Sequence, residues 1–261
     1  MVDTPLYVEK SGNPDGPTLI FLHAIGTSGW MWQNQVKLLS HFNCIVPDLP
    51  GHGNSNHIPW QSFAKTAQLV TNLIQVHAKS GKANIVGLSL GAYVSLQLLS
   101  DSPSVVERAV LSGVHILPMP NKQLMMMMSY LMMPFMRSSW MAHLNANALH
   151  IPPEQFDGYH RSFRQMSRQA FLKASGDAVN FEVPENISSI AVPTLITAGE
   201  NEQALIHKSQ QALVKMTPHI EAYIAPNVGH GWSLEAPQLF AEMIYSWIQA
   251  QPLPDQLQPV V

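Results

Sequence analysis

Short aliphatic and β-branched runs alternate with helix-patterned stretches along most of this chain, and that alternation constrains the fold more than any other feature. TLIFLH (18–23), CIVPD (44–48), ANIVGLS (83–89) and a run from Arg108 to Ser112 read as strands. Helical patterns fall between them near Trp32–Leu39, Ser62–Ser80 and Ala92–Leu99. Strands that take turns with helices pair in parallel through right-handed crossovers, so the expected class is α/β with a mostly parallel, doubly wound sheet. The alternation stops between about Leu117 and Glu185, where methionines, prolines and helical patterns replace the strands. It resumes with VPTLITAGE (192–200), a helix near Ala204–Thr217, a strand near Ile220–Ile224 and a helix from Pro237 to about Gln249. The expected organisation is therefore a core built from 1–116 and 186–250, a helical insertion at 117–185, and a loose Pro- and Gln-rich tail at 251–261.

With 261 residues the chain is long enough for one large core. Fourteen Lys and Arg stand against 17 Asp and Glu, and charged residues make up 12% of the chain. That composition lacks the basic footprint of a nucleic-acid binder, and a hydrophobic fraction of 46% is too high for disorder. A lone cysteine, Cys44, excludes an intrachain disulfide and a cysteine-ligated metal cluster. MVDTPLYVEKSG has neither the basic start nor the apolar stretch of a signal peptide, which makes a cytoplasmic location the expectation. The longest apolar stretch, Leu124 to Met136, is broken by Pro134 and is too short to span a bilayer, so stable membrane anchoring is not expected. A homodimer is compatible with all of this.

The most informative segment is Val86-Gly87-Leu88-Ser89-Leu90-Gly91, which lies between an apolar strand and an apolar helix. Here the chain resembles the α/β-hydrolase superfamily, in which G-x-S-x-G forms a sharp strand-to-helix turn that exposes the serine. The resemblance implies the fold of that superfamily with a helical cap at 117–185, and Ser89 as a nucleophile. Such a serine needs a histidine base and an acid. His230, in Asn227-Val-Gly-His-Gly231 between the last strand and the last helix, stands where the superfamily carries its base. Glu202, three residues after Gly199, stands where it carries its acid, with Glu200 as a competitor. No aspartate follows Ser112, the other place the superfamily keeps an acid.

The turn His23-Ala24-Ile25-Gly26-Thr27 resembles the superfamily's H-G-x-G element, with Ala24 in place of the first glycine. The resemblance implies that the backbone amides of Ile25 and Leu90 form an oxyanion hole. His23 and His52, each beside a turn, are read as structural, and Cys44 as a buried filler. The methionine-rich stretch QLMMMMSYLMMPFM (123–136) either walls an acyl pocket, with Met127, Met132, Trp140 and Trp232 as candidates, or packs the insertion onto the core. The implied activity is that of a carboxylesterase-like serine hydrolase acting on a small to medium apolar ester, with no metal or organic cofactor. The same triad would also serve a lactonase or a carbon–carbon bond hydrolase, and the fold also serves ligand-binding or signalling proteins.

Overall fold

The computed structural model describes residues 6–135 and 138–260. Residues 1–5, the start of the segment searched for a signal peptide, and Met136, the end of the methionine-rich stretch, lie outside them. The strands are β1 (Val8–Gly12), β2 (Thr18–Leu22), β3 (Asn43–Pro47), β4 (Ala83–Leu88), β5 (Val106–Ser112), β6 (Thr194–Gly199), β7 (Ile220–Ala225) and β8 (Gln258–Pro259). They form one sheet in the order β1-β3-β2-β4-β5-β6-β7-β8. Pairing is parallel from β3 to β7 and antiparallel at both edges.

Alternation within the strands divides the core between two faces, as the two-residue side-chain period requires. In β2, Ile20 and Leu22 point into one apolar layer and Leu19 and Phe21 into the other. The first layer is closed by α2 (Phe63–His77) and α3 (Leu90–Asp101). On the opposite face, Trp232 and Phe240 of the C-terminal region, with Met243, Ile244 and Trp247, stack on Trp32. α1 (Gln33–Leu38) and α10 (Pro237–Ile248) lie on that side. Helix α2 starts where Ser62 accepts a hydrogen bond from Lys65 N at 3.1 Å, satisfying one of the first-turn amides.

Between β5 and β6 the chain forms α4 (Lys122–Met132), α5 (Ser139–Ala148), α6 (Phe156–Gln165) and α7 (Arg168–Val179). α8 (Ala204–Met216) follows β6, and a one-turn α9 (Trp232–Glu235) precedes α10. The insertion is fastened to the sheet's turns. Trp30 Nε1 donates to Ser162 Oγ of α6 at 2.7 Å, and Trp60 Nε1 donates to Asp177 of α7 at 2.9 Å. None of the helices is long and apolar enough to cross a membrane among the described residues.

One sequence expectation about these elements needs correction, and one strand was not foreseen. The tail is not loose: Gln258 and Pro259 pair with Ile224 and Tyr223, Val260 N donates to Ala222 O at 2.8 Å, and Leu257 is buried. Its prolines read as a linker, yet β7 has an open edge that this short strand covers, which leaves fewer backbone groups unpaired. The edge strand β1, not foreseen because only Val8 in it is a strong strand former, runs antiparallel to β3 from Val8↔Pro47 to Gly12↔Asn43.

Candidate active site

Ser89 stands in the turn from β4 to α3 with φ 53° and ψ −111°, a conformation that L-residues adopt at a cost of about 1–3 kcal/mol. The surroundings enforce it. Ser89 N donates to Ser112 O at 2.8 Å and Gly91 N to His23 O at 3.1 Å, which ties the turn to both neighbouring strands. A Cβ on Gly87 would sit 2.5 Å from Gly91 O, and one on Gly91 would sit 2.1 Å from Leu22 O. Only glycine permits this approach of backbones, which explains the G-x-S-x-G spacing in steric terms.

His230 is carried by the loop between β7 and α9. Its Nδ1 lies 2.9 and 3.0 Å from the two carboxylate oxygens of Glu202, so Nδ1–H donates and Nε2 is left as the basic nitrogen. Burial pulls the imidazole's proton affinity down. The Glu202 carboxylate, by its charge and its hydrogen bond, and Glu235 beyond it, outweigh that effect and hold the pKa above the ordinary value. Glu202 itself is nearly sealed, with 2% of its side chain exposed. Glu200, the competing acid, points elsewhere: its carboxylate accepts the Asn227 amide at 2.8 Å on the exposed face of the loop. Of the two glutamates, the structure brings Glu202 to the histidine.

Ser89, His230, Glu202, Ile25 and Leu90 all line one cavity of about 290 Å³. Among the described residues neither the Ile25 nor the Leu90 amide donates to a protein acceptor. Leu90 N belongs to the first turn of α3, where no intrahelical acceptor exists, and the helix dipole adds partial positive charge there. Ala24, the departure from H-G-x-G, carries no positive φ, and its carbonyl is held by Thr27 N at 3.3 Å and Thr27 Oγ1 at 2.7 Å. A β-carbon is therefore accommodated.

His23 and His52, read from the sequence as structural, have structural partners. His23 Nδ1–H donates to Ala24 O at 2.8 Å while Nε2 accepts from Leu49 N at 2.9 Å. Burial lowers its pKa to about 4 and that of His52 to about 3, so both are neutral props for their turns. Burial raises the Cys44 thiol to about 12, which leaves it unreactive.

The pocket candidates are not where the sequence placed them. Met127 and Trp140 are half exposed, at 52% and 51%, on the outer side of the insertion. Met132 lines a separate cavity of about 390 Å³ between inserted helices, with Met128, Met141 and Phe171. Trp232 is fully buried and donates its Nε1–H to Ser112 Oγ at 2.8 Å, anchoring the His230 loop to β5. Methionine density marks an apolar helix but does not say which face it turns to a cavity, and α4 turns most of its side chains to solvent.

Sequence reasoning assigned no role to several residues that the structure places around the histidine and its cavity. Gly113, at φ 67°, leaves room for the imidazole: a Cβ there would lie 2.8 Å from His230 Cε1 and 3.2 Å from Glu202 Oε1. A glycine directly after a strand was the available signal. The end of α5 contributes Leu149 and His150, whose ring lies against Gly229. Glu235 accepts the Gly229 amide at 3.0 Å and so steadies the histidine loop. No group of three His, Cys, Asp or Glu residues is arranged to hold a metal ion among the described residues.

Comparison with known proteins adds lineage to this geometry. Residues 19–243 match the family described as Alpha/beta hydrolase family. An AB hydrolase superfamily protein of Gibberella zeae is 27% identical over 98% of this chain and 88% of its own length. A pimeloyl-[acyl-carrier protein] methyl ester esterase of Nitrosomonas europaea is 30% identical over 41% of this chain and 40% of its own. Among solved structures, the enol-lactonase of Burkholderia xenovorans LB400 superposes with a TM-score of 0.80 at 18% identity, over 94% of this chain and 96% of that one. At that identity the likeness speaks for the fold alone.

Proposed function

The chain belongs to the alpha/beta hydrolase family, and from that premise we propose that it is a serine hydrolase of carboxylic esters with a small substrate. The observation that carries the reading is the convergence on one cavity of a serine in a strained turn and a histidine whose other nitrogen is bound by a buried carboxylate. In this reading His230 Nε2 takes the proton of Ser89 as Oγ attacks the ester carbonyl, and Glu202 stabilises the imidazolium that forms. The amides of Ile25 and Leu90 receive the carbonyl oxygen as it becomes negative, an interaction worth on the order of 10²–10³ in rate per donor. His230 then protonates the leaving alcohol, and the resulting acyl-Ser89 ester is hydrolysed by a water that His230 deprotonates.

The cavity's volume is at the low end of ligand pockets, roughly 300–1,000 Å³, which favours short acyl chains. The insertion serves as a cap in this reading, since Met119, Leu149, His150, Ser175, Ala178 and Val179 supply part of the wall of the same cavity. The methyl ester esterase among the relatives supports ester chemistry in this family.

The test is a p-nitrophenyl ester series from acetate to dodecanoate on the wild-type chain and on Ser89→Ala. The expected result is sustained turnover, highest at short chains and absent from Ser89→Ala, with kcat in the usual enzymatic range of about 1–10³ per second. One product per chain or none would instead mark a ligand-binding protein on the same fold.

A further inference from the structure

The cavity wall is not uniformly apolar, and one polar group on it projects from a backbone segment fixed by hydrogen bonds. His115 follows β5 in the Gly113–Leu117 segment, is buried to 7% exposure, and lines the same space as Ser89 and His230. Its backbone amide donates to Tyr93 Oη at 3.3 Å, and the next two amides, Ile116 and Leu117, donate to Ser209 Oγ at 3.0 and 3.4 Å. The Tyr93 ring meets the imidazole edge-on with centroids 5.6 Å apart. Nδ1 lies 3.3 Å from Leu117 O, and a carbonyl can only accept, so the proton sits on Nδ1 and Nε2 carries the lone pair. Nε2 takes no protein partner among the described residues and keeps some accessible surface, and the residue lines the cavity. Burial holds this histidine below its ordinary pKa, so it stays neutral near pH 7.

A preorganised acceptor facing a small cavity is costly to leave unpaired once substrate expels the water. Among the described residues no lysine, arginine or aspartate lines the space, the one carboxylate, Glu202, is held by His230, and the neutral side chains of Ser175, Asn201 and Gln203 make no hydrogen bond to His115. The partner that fits is therefore a neutral donor. We propose that His115 is a specificity-determining residue whose Nε2 accepts a hydrogen bond from a hydroxyl or amide N–H of the substrate, so that the preferred substrate is a small ester bearing a neutral donor, not a plain acyl chain. This rests on the ester-hydrolase reading above and deepens it. His115 does not touch the reacting bond; it selects what is held beside it.

The experiment compares esters that carry a hydroxyl with their O-methyl ethers. The acyl side is sampled with p-nitrophenyl 3-hydroxybutanoate and 6-hydroxyhexanoate, and the alcohol side with hydroxyethyl and hydroxybutyl butanoate. The wild type is expected to favour at least one hydroxy ester over its ether in kcat/KM by about 5- to 150-fold, the range for satisfying against stranding one buried polar group. His115→Leu should bring that ratio close to one. His115→Gln, whose amide oxygen can still accept, should keep part of it. The loss should fall mainly on KM, which a general loosening of the fold would not single out. A ratio near one for every pair in the wild type, or a ratio kept by His115→Leu, overturns the proposal.

Binding of the same pairs to Ser89→Ala, by calorimetry, reads the preference without turnover. If the wild type hydrolyses no ester, the ester reading fails. A hydroxy-over-ether preference in binding that His115→Leu abolishes would still support the acceptor role, and equal binding of both members would overturn it.

Discussion

Replacing Glu202 by Gln keeps the side chain's size and one acceptor oxygen but removes the negative charge that lies 2.9 Å from His230 Nδ1. What is lost is the stabilisation of the imidazolium that forms as Ser89 gives up its proton. Two unit charges about 4 Å apart at an effective dielectric constant of about 20 interact by ~4 kcal/mol. At 1.36 kcal/mol per decade this predicts a fall in kcat of about 10³-fold. The glutamine amide could also rotate to donate to Nδ1, which would put the proton on the wrong nitrogen and deepen the loss toward ~10⁴-fold. Glu200→Gln should behave differently. Its carboxylate accepts one backbone amide on an exposed loop, a bond the glutamine oxygen can also accept, so kcat should change by less than about threefold. The assay is kcat on a short p-nitrophenyl ester for both variants, with thermal unfolding to show that each is folded. Retention of more than a tenth of wild-type kcat by folded Glu202→Gln, or an equal loss in Glu200→Gln, would refute the assignment of the acid and the charge argument with it.

Four further outcomes follow from the geometry. Activity should rise with pH as His230 loses its proton, with a midpoint in kcat/KM above the ordinary histidine value of about 6.5; in Glu202→Gln the midpoint should fall, because burial, the largest influence on this imidazole, is then opposed by no charge but the more distant Glu235. Stability runs the other way: a histidine whose folded pKa is raised adds stability that is fully present below the unfolded pKa and is lost as pH rises through the folded one, which urea titrations across that window would register. Ser89→Gly should be inactive yet more stable than Ser89→Ala by about 1 kcal/mol, because glycine tolerates φ 53° and alanine does not; equal melting temperatures would mean the turn stores no strain. Leu257→Ala should cost about 2 kcal/mol in urea unfolding, since Leu257 is buried beside β8; no loss would mean the tail's pairing contributes nothing to the fold.

The parts of the molecule legible in the sequence are those where a residue's own neighbours dictate its conformation. The six interior strands of the sheet are dense local runs of aliphatic residues, and the turn at Ser89 announces itself because both glycines answer a steric need within two residues of it. The chain order of serine, acid and histidine, and the preference for Glu202 over Glu200, were legible through resemblance alone, because where a four-residue loop turns its side chains is something no local pattern encodes. The structure separates them by giving Glu200 the Asn227 amide and Glu202 the imidazole. The cavity wall was illegible for a stronger reason. It is assembled from the ends of α5 and α7 and the loops after β5 and β6, segments whose approach depends on tertiary packing of the whole insertion. Methionines in α4 carried the loudest compositional signal and face mostly outward, whereas His115, a single histidine after a strand, carried none and faces Ser89's cavity. In the proposal made for His115, specificity rests on a residue that is unremarkable in sequence and becomes informative only through what it leaves unpaired: an acceptor carried on a backbone segment held by Tyr93 and Ser209 calls for a donor on the substrate, and an abundance of methionine does not call for an acyl chain.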